Sequence, residues 1–360
     1  MTSQNDKPIS RTQIRLVTFV LLFVFAVGYT AYDVMIAYPK TKHTGDGIDV
    51  PVEIKRGISP DGLVAELAKA QVISSPGKFG LWLKLTGDFT KVRAGEFLLN
   101  DQMTPAEIIR ALQGKGVNKG VRVTIPEGFT LSQIAAALAN AGLVTVDEFR
   151  TAAFNPALLK RLGIPGPGAE GFLFPDTYFF NPQTTAAQIV ERMFQNFVEK
   201  TRVLGLEKKT PKALLEVVTL ASIVQSEARV AEEAPVIAGV YTNRLEAQKF
   251  PSRRLQADPT VAYGCNRFLA SRPPSCSTFN GVLGSRQLLD DDNVYNTYRH
   301  EGLPPGPICA PGLHALKAAL APASVPYLYF VVSKDGRHTF STTLADHEAA
   351  VKAYRQSGGQ

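Results

Sequence analysis

Residues Leu16 to Tyr32 read LVTFVLLFVFAVGYTAY, seventeen positions without a charge, and only Asp33 interrupts the apolar continuation to Tyr38. A helix that is apolar on every side has no polar face to turn to water, and ~20 such residues match the hydrocarbon thickness of a bilayer. This run therefore constrains everything after it to fold on one side of a membrane. Lys7, Arg11 and Arg15 precede it, which predicts a cytoplasmic N-terminus and an external remainder. A cleaved signal peptide is the rival reading. The apolar core is long for one, and no small-x-small cleavage site follows. The expected order is a cytoplasmic tail (1–15), a single-pass anchor (16–38) and a polar linker (39–49).

Beyond the linker the chain repeats itself. Val52-Glu-Ile-Lys-Arg-Gly-Ile-Ser59 matches Val123-Thr-Ile-Pro-Glu-Gly-Phe-Thr130 at an offset of 71. The match continues through Leu63 with Ile134, Leu67 with Leu138, Ala70 with Ala141 and Val72-Ile73 with Leu143-Val144. Each copy predicts a short alternating strand, a glycine turn, a capped helix and a second apolar edge. Between them Lys91–Gln113 gives another strand, a turn and a helix opened by Thr104-Pro105, and a further helix is expected over Val146–Leu162. Strand–helix units of this kind, over residues 50–165, resemble the LysM modules that bind N-acetylglucosamine-containing polymers. A compact α+β spacer is the alternative.

With 360 residues, 45% hydrophobic, the chain can bury a large core and hold two or three domains. The net charge of +7 is a mild excess. No basic block is interleaved with aromatics, so nucleic acid is not an expected partner. A membrane surface or an anionic cell-wall polymer suits the balance better. Three cysteines without a C-x-x-C pair, and five histidines without ligand spacing, predict neither metal nor cofactor. Cys265 and Cys276, eleven positions apart, either bridge outside the cytoplasm or stay reduced, with Cys309 left over.

The chemistry concentrates on Thr210–Arg229. Thr210 suits an N-cap and Pro211 the first helical position. Leu214, Val217, Ala221, Val224 and Ala228 trace a buried face, and Thr219, Ser222, Ser226 and Arg229 the polar side. Glu227 falls away from that side, near Leu220, Ile223 and Val224. Apolar neighbours disfavour a charged carboxyl and raise its pKa, as a general acid working near neutral pH requires. A glutamate at the edge of a buried helix, paired with a Lys or Arg, is the plainer reading of the spacing.

Around this helix Pro165–Gly171 reads as a boundary opening a domain over 166–360. Helices are expected over Ala186–Lys200, Ala234–Ala247, Leu313–Ala321 and Leu344–Arg355. Strands are expected over Tyr327–Ser333 and Arg337–Ser341, joined at Asp335-Gly336. Asp258-Pro259 marks a turn or helix start, and residues 264–292 a long polar loop.

Seven motifs in one order resemble the YceG-like, or MltG, family of membrane-anchored endolytic murein transglycosylases. They are Glu170-Gly-Phe-Leu-Phe-Pro-Asp-Thr-Tyr178, Leu220-Ala-Ser-Ile-Val-Gln-Ser-Glu227, Val240-Tyr-Thr-Asn-Arg-Leu245, Leu255-Gln-Ala-Asp-Pro-Thr-Val261, Tyr295-Asn-Thr-Tyr298, Gly302-Leu-Pro-Pro-Gly306, and Tyr327-Leu-Tyr-Phe330 with His338-Thr-Phe340. The family pattern A-S-I-V-E-x-E has Gln225 at its first glutamate here, so the resemblance leaves Glu227 as the acid. It implies an α+β protein with one N-terminal transmembrane helix, LysM-like modules and a mixed α+β catalytic domain facing the periplasm from the inner membrane. The implied reaction is non-hydrolytic cleavage of MurNAc–GlcNAc β-1,4 bonds within glycan strands, leaving 1,6-anhydro ends, with cell-wall synthases as further partners. Asn243, Gln256, Asp258, Tyr295, Asn296, Tyr298 and Glu170 are the candidates for holding the sugar chain. Each is equally open to a core or capping role. A membrane-tethered peptidoglycan-binding scaffold with an inert Glu227 is the competing function. No G-x-S-x-G or H-E-x-x-H motif supports an ordinary hydrolase.

Overall fold

A computed structural model of the chain describes residues 11–45, 49–114, 120–266 and 272–356. The first ten residues of the expected tail, part of the linker and five positions of the 264–292 loop lie outside the described residues. The chain forms two compact units: residues up to Gly120 with Phe179–Asn181, and Val121–Tyr178 with Pro182 onward.

The first unit opens with α1 (Arg11–Tyr32), 22 residues and so ~33 Å at 1.5 Å per residue. Phe19, Leu21, Leu22, Phe23 and Phe25 are all exposed on it. It runs on through a π turn and a 3-10 turn, and the stretch Thr18–Lys40 is long and apolar enough to cross a membrane. There Val34 and Tyr38 enter the unit's core, and Asp33 meets Lys78 at 2.7 Å. The chain continues with β1 (Asp49–Ile54), α2 (Pro60–Lys69), α3 (Pro76–Thr86), β2 (Gly95–Asn100) and α4 (Pro105–Gln113). β1 and β2 pair antiparallel, Val52 opposite Phe97. Val52 and Ile54 alternate inward onto Leu63, Leu67, Leu99 and Ile108. Helix α3 is absent from the sequence expectation. Its PGKFGLWLKLT carries two glycines and little amphipathic pattern, yet Phe79, Trp82 and Leu83 fill the core.

The second unit contains β3 (Val121–Thr124), α5 (Leu131–Asn140), α6 (Val146–Ala153), α7 (Pro156–Leu162), the first half of β4 (Thr177–Phe180), whose Phe179 and Phe180 count with the first unit, and α8 (Ala186–Thr201). It goes on with α9 (Pro211–Glu227), α10 (Ala234–Leu245), α11 (Asp258–Cys265), α12 (Ser285–Leu288), α13 (Leu313–Leu320), β5 (Tyr329–Val332), β6 (His338–Ser341) and α14 (Leu344–Gln356). The single helix expected over Val146–Leu162 is two. Asn155 caps α7 by accepting from Leu158 N, and Pro156 takes its first position. The loop at 264–292 is not wholly irregular, since a 3-10 turn at Pro274–Cys276 and α12 lie in it. Cys265 and Cys276 are joined and Cys309 is buried and unbridged.

The repeat is real at the level of backbone conformation. Gly57 (φ +75°) and Gly128 (φ +80°) occupy the same left-handed turn position in the two copies. Ser59 and Thr130, also in register, cap α2 and α5. Both helices end alike, Val72 N donating to Leu67 O at 3.2 Å and Leu143 N to Leu138 O at 3.1 Å. The compact units divide at Gly120, so the first copy lies in one unit and the second in the other. Helices α9, α10 and α13 pack on one another and form the scaffold of the site.

Candidate active site

Helix α9 starts on Thr210, whose hydroxyl accepts from Ala213 N at 3.3 Å, and is sealed on all sides from Val218 to Val224. Of the stripe expected to be polar, Thr219 and Ser222 are therefore interior, while Ser226 and Arg229 are exposed as expected. Ser222 Oγ donates to Thr219 O and accepts from Ile308 N at 3.0 Å. Gln225 Oε1 accepts from Gly312 N at 2.9 Å. The segment 308–312 thus runs down the hydroxyl and amide groups of α9. The departure at Gln225 is explained on the same contact, because an amide oxygen and a carboxylate oxygen both accept an N–H.

Glu227 is the last residue of α9, where the chain turns extended at Ala228. It is half-buried, and Tyr241 of α10 donates its hydroxyl to Oε1 at 2.8 Å. No described donor reaches Oε2, which is not sealed from solvent. Burial pushes the carboxyl up to about 7, and the Asp258 carboxylate adds to this. The Tyr241 hydrogen bond, Arg244 and Arg229 pull the other way. The helix C-terminus, with no basic residue in its last turn, also disfavours a negative charge there.

Arg244 is the cation an ion-pair reading would require, and it is engaged elsewhere. Its Nε donates to Leu328 O at 2.6 Å, its Nη1 to Leu255 O, and its guanidinium lies over the rings of Phe250 and Tyr329. It fastens the β5–β6 hairpin and the 255 loop to α10, and its charge reaches Glu227 without a salt bridge.

The remaining candidates divide by placement. Asp258 and Gln256 are exposed. Asp258 accepts the Tyr298 hydroxyl at 2.6 Å, and Tyr298 is half-buried. Gln256 sits at φ +50°, a conformation costly for a non-glycine residue. It is held there by its N–H on Thr297 O (3.1 Å) and by Ala257 N on Thr297 Oγ1 (3.0 Å). Asn243, Asn296, Tyr295 and Glu170, expected to face the sugar chain, are instead buried. Asn243 Nδ2 donates to Val325 O and Tyr327 O. Asn296 Nδ2 donates to the carbonyls of Gln287, Leu288 and Asp290. Tyr295 packs against Tyr263 with ring centroids 4.9 Å apart. Glu170 accepts from Leu131 N and from Tyr263 at 2.9 Å. Buried polar side chains with partners of this kind hold the loops they belong to.

Two residues escape the sequence reading, Tyr241 and Arg244. They lie three apart on one face of α10, inside a motif that was legible, but nothing local says that this face meets the end of α9. Two surface recesses, of about 590 Å³ beside the first half of α9 and about 710 Å³ beside α6, are not lined by Glu227. Among the described residues no cluster of His, Cys, Asp or Glu could hold a metal ion.

Fold and site together define an α+β protein with one half-buried, proton-holding carboxyl at the end of a core helix. The chain belongs to the YceG-like family, which it matches over residues 52–353. It is 32% identical over 330 residues to an endolytic murein transglycosylase of Bacillus subtilis (strain 168), covering 86% of this chain and 85% of that protein. A second protein of that name, from Streptococcus pneumoniae (strain R6), is 28% identical over 346 residues and is covered over 59% of its length. A 2.6 Å crystal structure of the yceG-like protein lmo1499 from Listeria monocytogenes superposes with a TM-score of 0.53 at 28% identity, over 85% of this chain and all of that one.

Proposed function

We propose that this chain is a membrane-anchored endolytic peptidoglycan lytic transglycosylase with Glu227 as its acid and then its base. One observation carries the reading: a carboxyl held near pKa 7 with one oxygen bonded by Tyr241 and the other open. Glu227 protonates the oxygen leaving C1 of MurNAc as positive charge develops on that carbon. Its carboxylate then takes the proton of the same sugar's 6-hydroxyl, which closes the 1,6-anhydro ring. The nucleophile belongs to the substrate, so a second protein carboxylate at nucleophile distance is not required. Gln256, Asp258 and Tyr298, at the surface, position the glycan; Asn243, Asn296, Tyr295 and Glu170 hold the loops that carry them. Residues 16–38 anchor the chain with its N-terminus in the cytoplasm and the catalytic domain, residues 166–360, in the periplasm. The strand–helix–helix–strand order of the first unit supports a LysM-like sugar-binding role, and cell-wall synthases are the expected protein partners.

The test is digestion of isolated sacculi by the wild type and by Glu227→Gln. The wild type releases muropeptides one water lighter than hydrolysis products, and the variant releases none. A wild type that binds sacculi and releases nothing favours the scaffold function; hydrated ends mark a hydrolase.

A further inference from the structure

We infer that Tyr241 is a positioning residue that assigns the two edges of the Glu227 carboxyl, holding Oε1 so that the transferable proton is carried on Oε2. This rests on the acid role proposed for Glu227. The hydroxyl–Oε1 distance is 2.8 Å, and a phenol that donates to one carboxyl oxygen leaves the neutral acid's O–H on the other.

The phenol cannot easily turn away. Tyr241 is 1% exposed, and its ring is met edge-on by Phe330 of β5 at 5.7 Å. Phe330 is met in turn by His338 of β6 at 5.3 Å. His338 is fixed by Glu233, which takes its backbone N–H at 3.1 Å and its ring Nδ1 at 2.7 Å. Asn243 and Arg244, next to Tyr241 on α10, clasp the carbonyls of Val325, Tyr327 and Leu328. The hairpin is thus fastened to α10 at several points, and its aromatic edge braces the hydroxyl. Burial keeps the phenol protonated.

In the first half of the reaction the Oε2 proton passes to the leaving oxygen as the C1–O bond breaks. In the second, the proton of the 6-hydroxyl returns to Oε2 as the O6–C1 bond forms. Tyr241 keeps its own proton throughout, and its hydrogen bond is strongest when Glu227 is an anion. It therefore steadies the base without becoming one. Other charges bear on Glu227 from neighbouring elements: Arg244 on α10, Arg229 after α9, and Asp258 on α11 with its partner Tyr298. On α13, His314 and Lys317 face solvent.

Tyr241→Phe removes one oxygen and keeps the ring. The full chain in detergent micelles, labelled with ¹³C at glutamate carboxyls and assigned with Glu227→Gln, is titrated and assayed on sacculi across pH. The variant should raise the Glu227 midpoint by about one pH unit. The alkaline limb of activity should move up with it, and kcat should fall roughly tenfold with KM within twofold. An unchanged midpoint, or a raised KM with kcat intact, overturns the assignment. Phe330→Leu, which keeps the hydroxyl and removes its brace, should move the same readouts in the same direction by less; no movement there overturns the bracing. The titration is read whether or not sugar is cleaved. A wild type with the expected coupling but no anhydro product therefore refutes the acid role of Glu227 and not the pairing.

Discussion

Two carboxyls in the second unit share three local traits. Glu227 and Glu170 are both withdrawn from water, both accept a tyrosine hydroxyl, and burial pushes both up, to about 7 and about 8. They differ in what is left over. At Glu170 both oxygens lie within reach of Leu131 N at the start of α5, and Tyr263 takes Oε2 as well. At Glu227 a single donor takes Oε1. A raised pKa alone therefore does not single out an acid; an oxygen that substrate can reach does. Glu170 joins α5 to α11, and Glu227, half-buried at the end of α9, keeps Oε2 without a described donor.

The largest test of that contrast is catalytic. Glu227→Gln should lower anhydro-product release by about three orders of magnitude, and Glu170→Gln by less than tenfold; equal losses would erase the distinction. Next in size is the clamp beside the acid. Arg244→Met removes two charge-assisted bonds to carbonyls and two ring contacts, and should cost about 3 kcal/mol in urea unfolding. Glu170→Ala strands Leu131 N and the Tyr263 hydroxyl, and should cost about 2 kcal/mol, whereas Glu227→Ala should cost less than half of that. The smallest effect is on pH. Both carboxyls have folded values above 4.5, so their contribution to stability is complete below the unfolded value and is lost as pH rises through about 7 and 8. Urea midpoints should fall between pH 5 and pH 8.5, and Glu227→Gln should recover on the order of 1 kcal/mol of that loss.

Much of this was legible before the structure. The apolar run, the capped start of α9, the two C-terminal strands and the turn at Asp335-Gly336 follow from local rules. The boxes at Thr104, Thr130, Thr145 and Thr185, each answered three residues later by Glu or Gln, obey a local rule too, although those at Thr145 and Thr185 are not among the expectations above. Helix α3 was not legible, because its apolar residues pack on α2 and on the turns that follow α1 and α3, and show little period of their own. The polar stripe of α9 misled for a related reason. Thr219 and Ser222 look like a wet face until the fold buries both and Ile308 N of the 308–312 segment bonds Ser222. Sequence could place Glu227 among apolar neighbours. It could not say that Tyr241 would reach it, or that Asn243 and Asn296 would turn inward to backbone carbonyls.

The twin copies carry one asymmetry with a practical side. At the helix end where the second copy has Gly142 at φ +73°, the first has Gln71 at φ +55°. Chain handedness has outlasted side-chain identity there, and the first copy bears a local conformational burden that the second does not. Gln71→Gly would lift that burden, and a firmer first unit from so small an edit would show that the backbone there suits glycine better than the residue it carries.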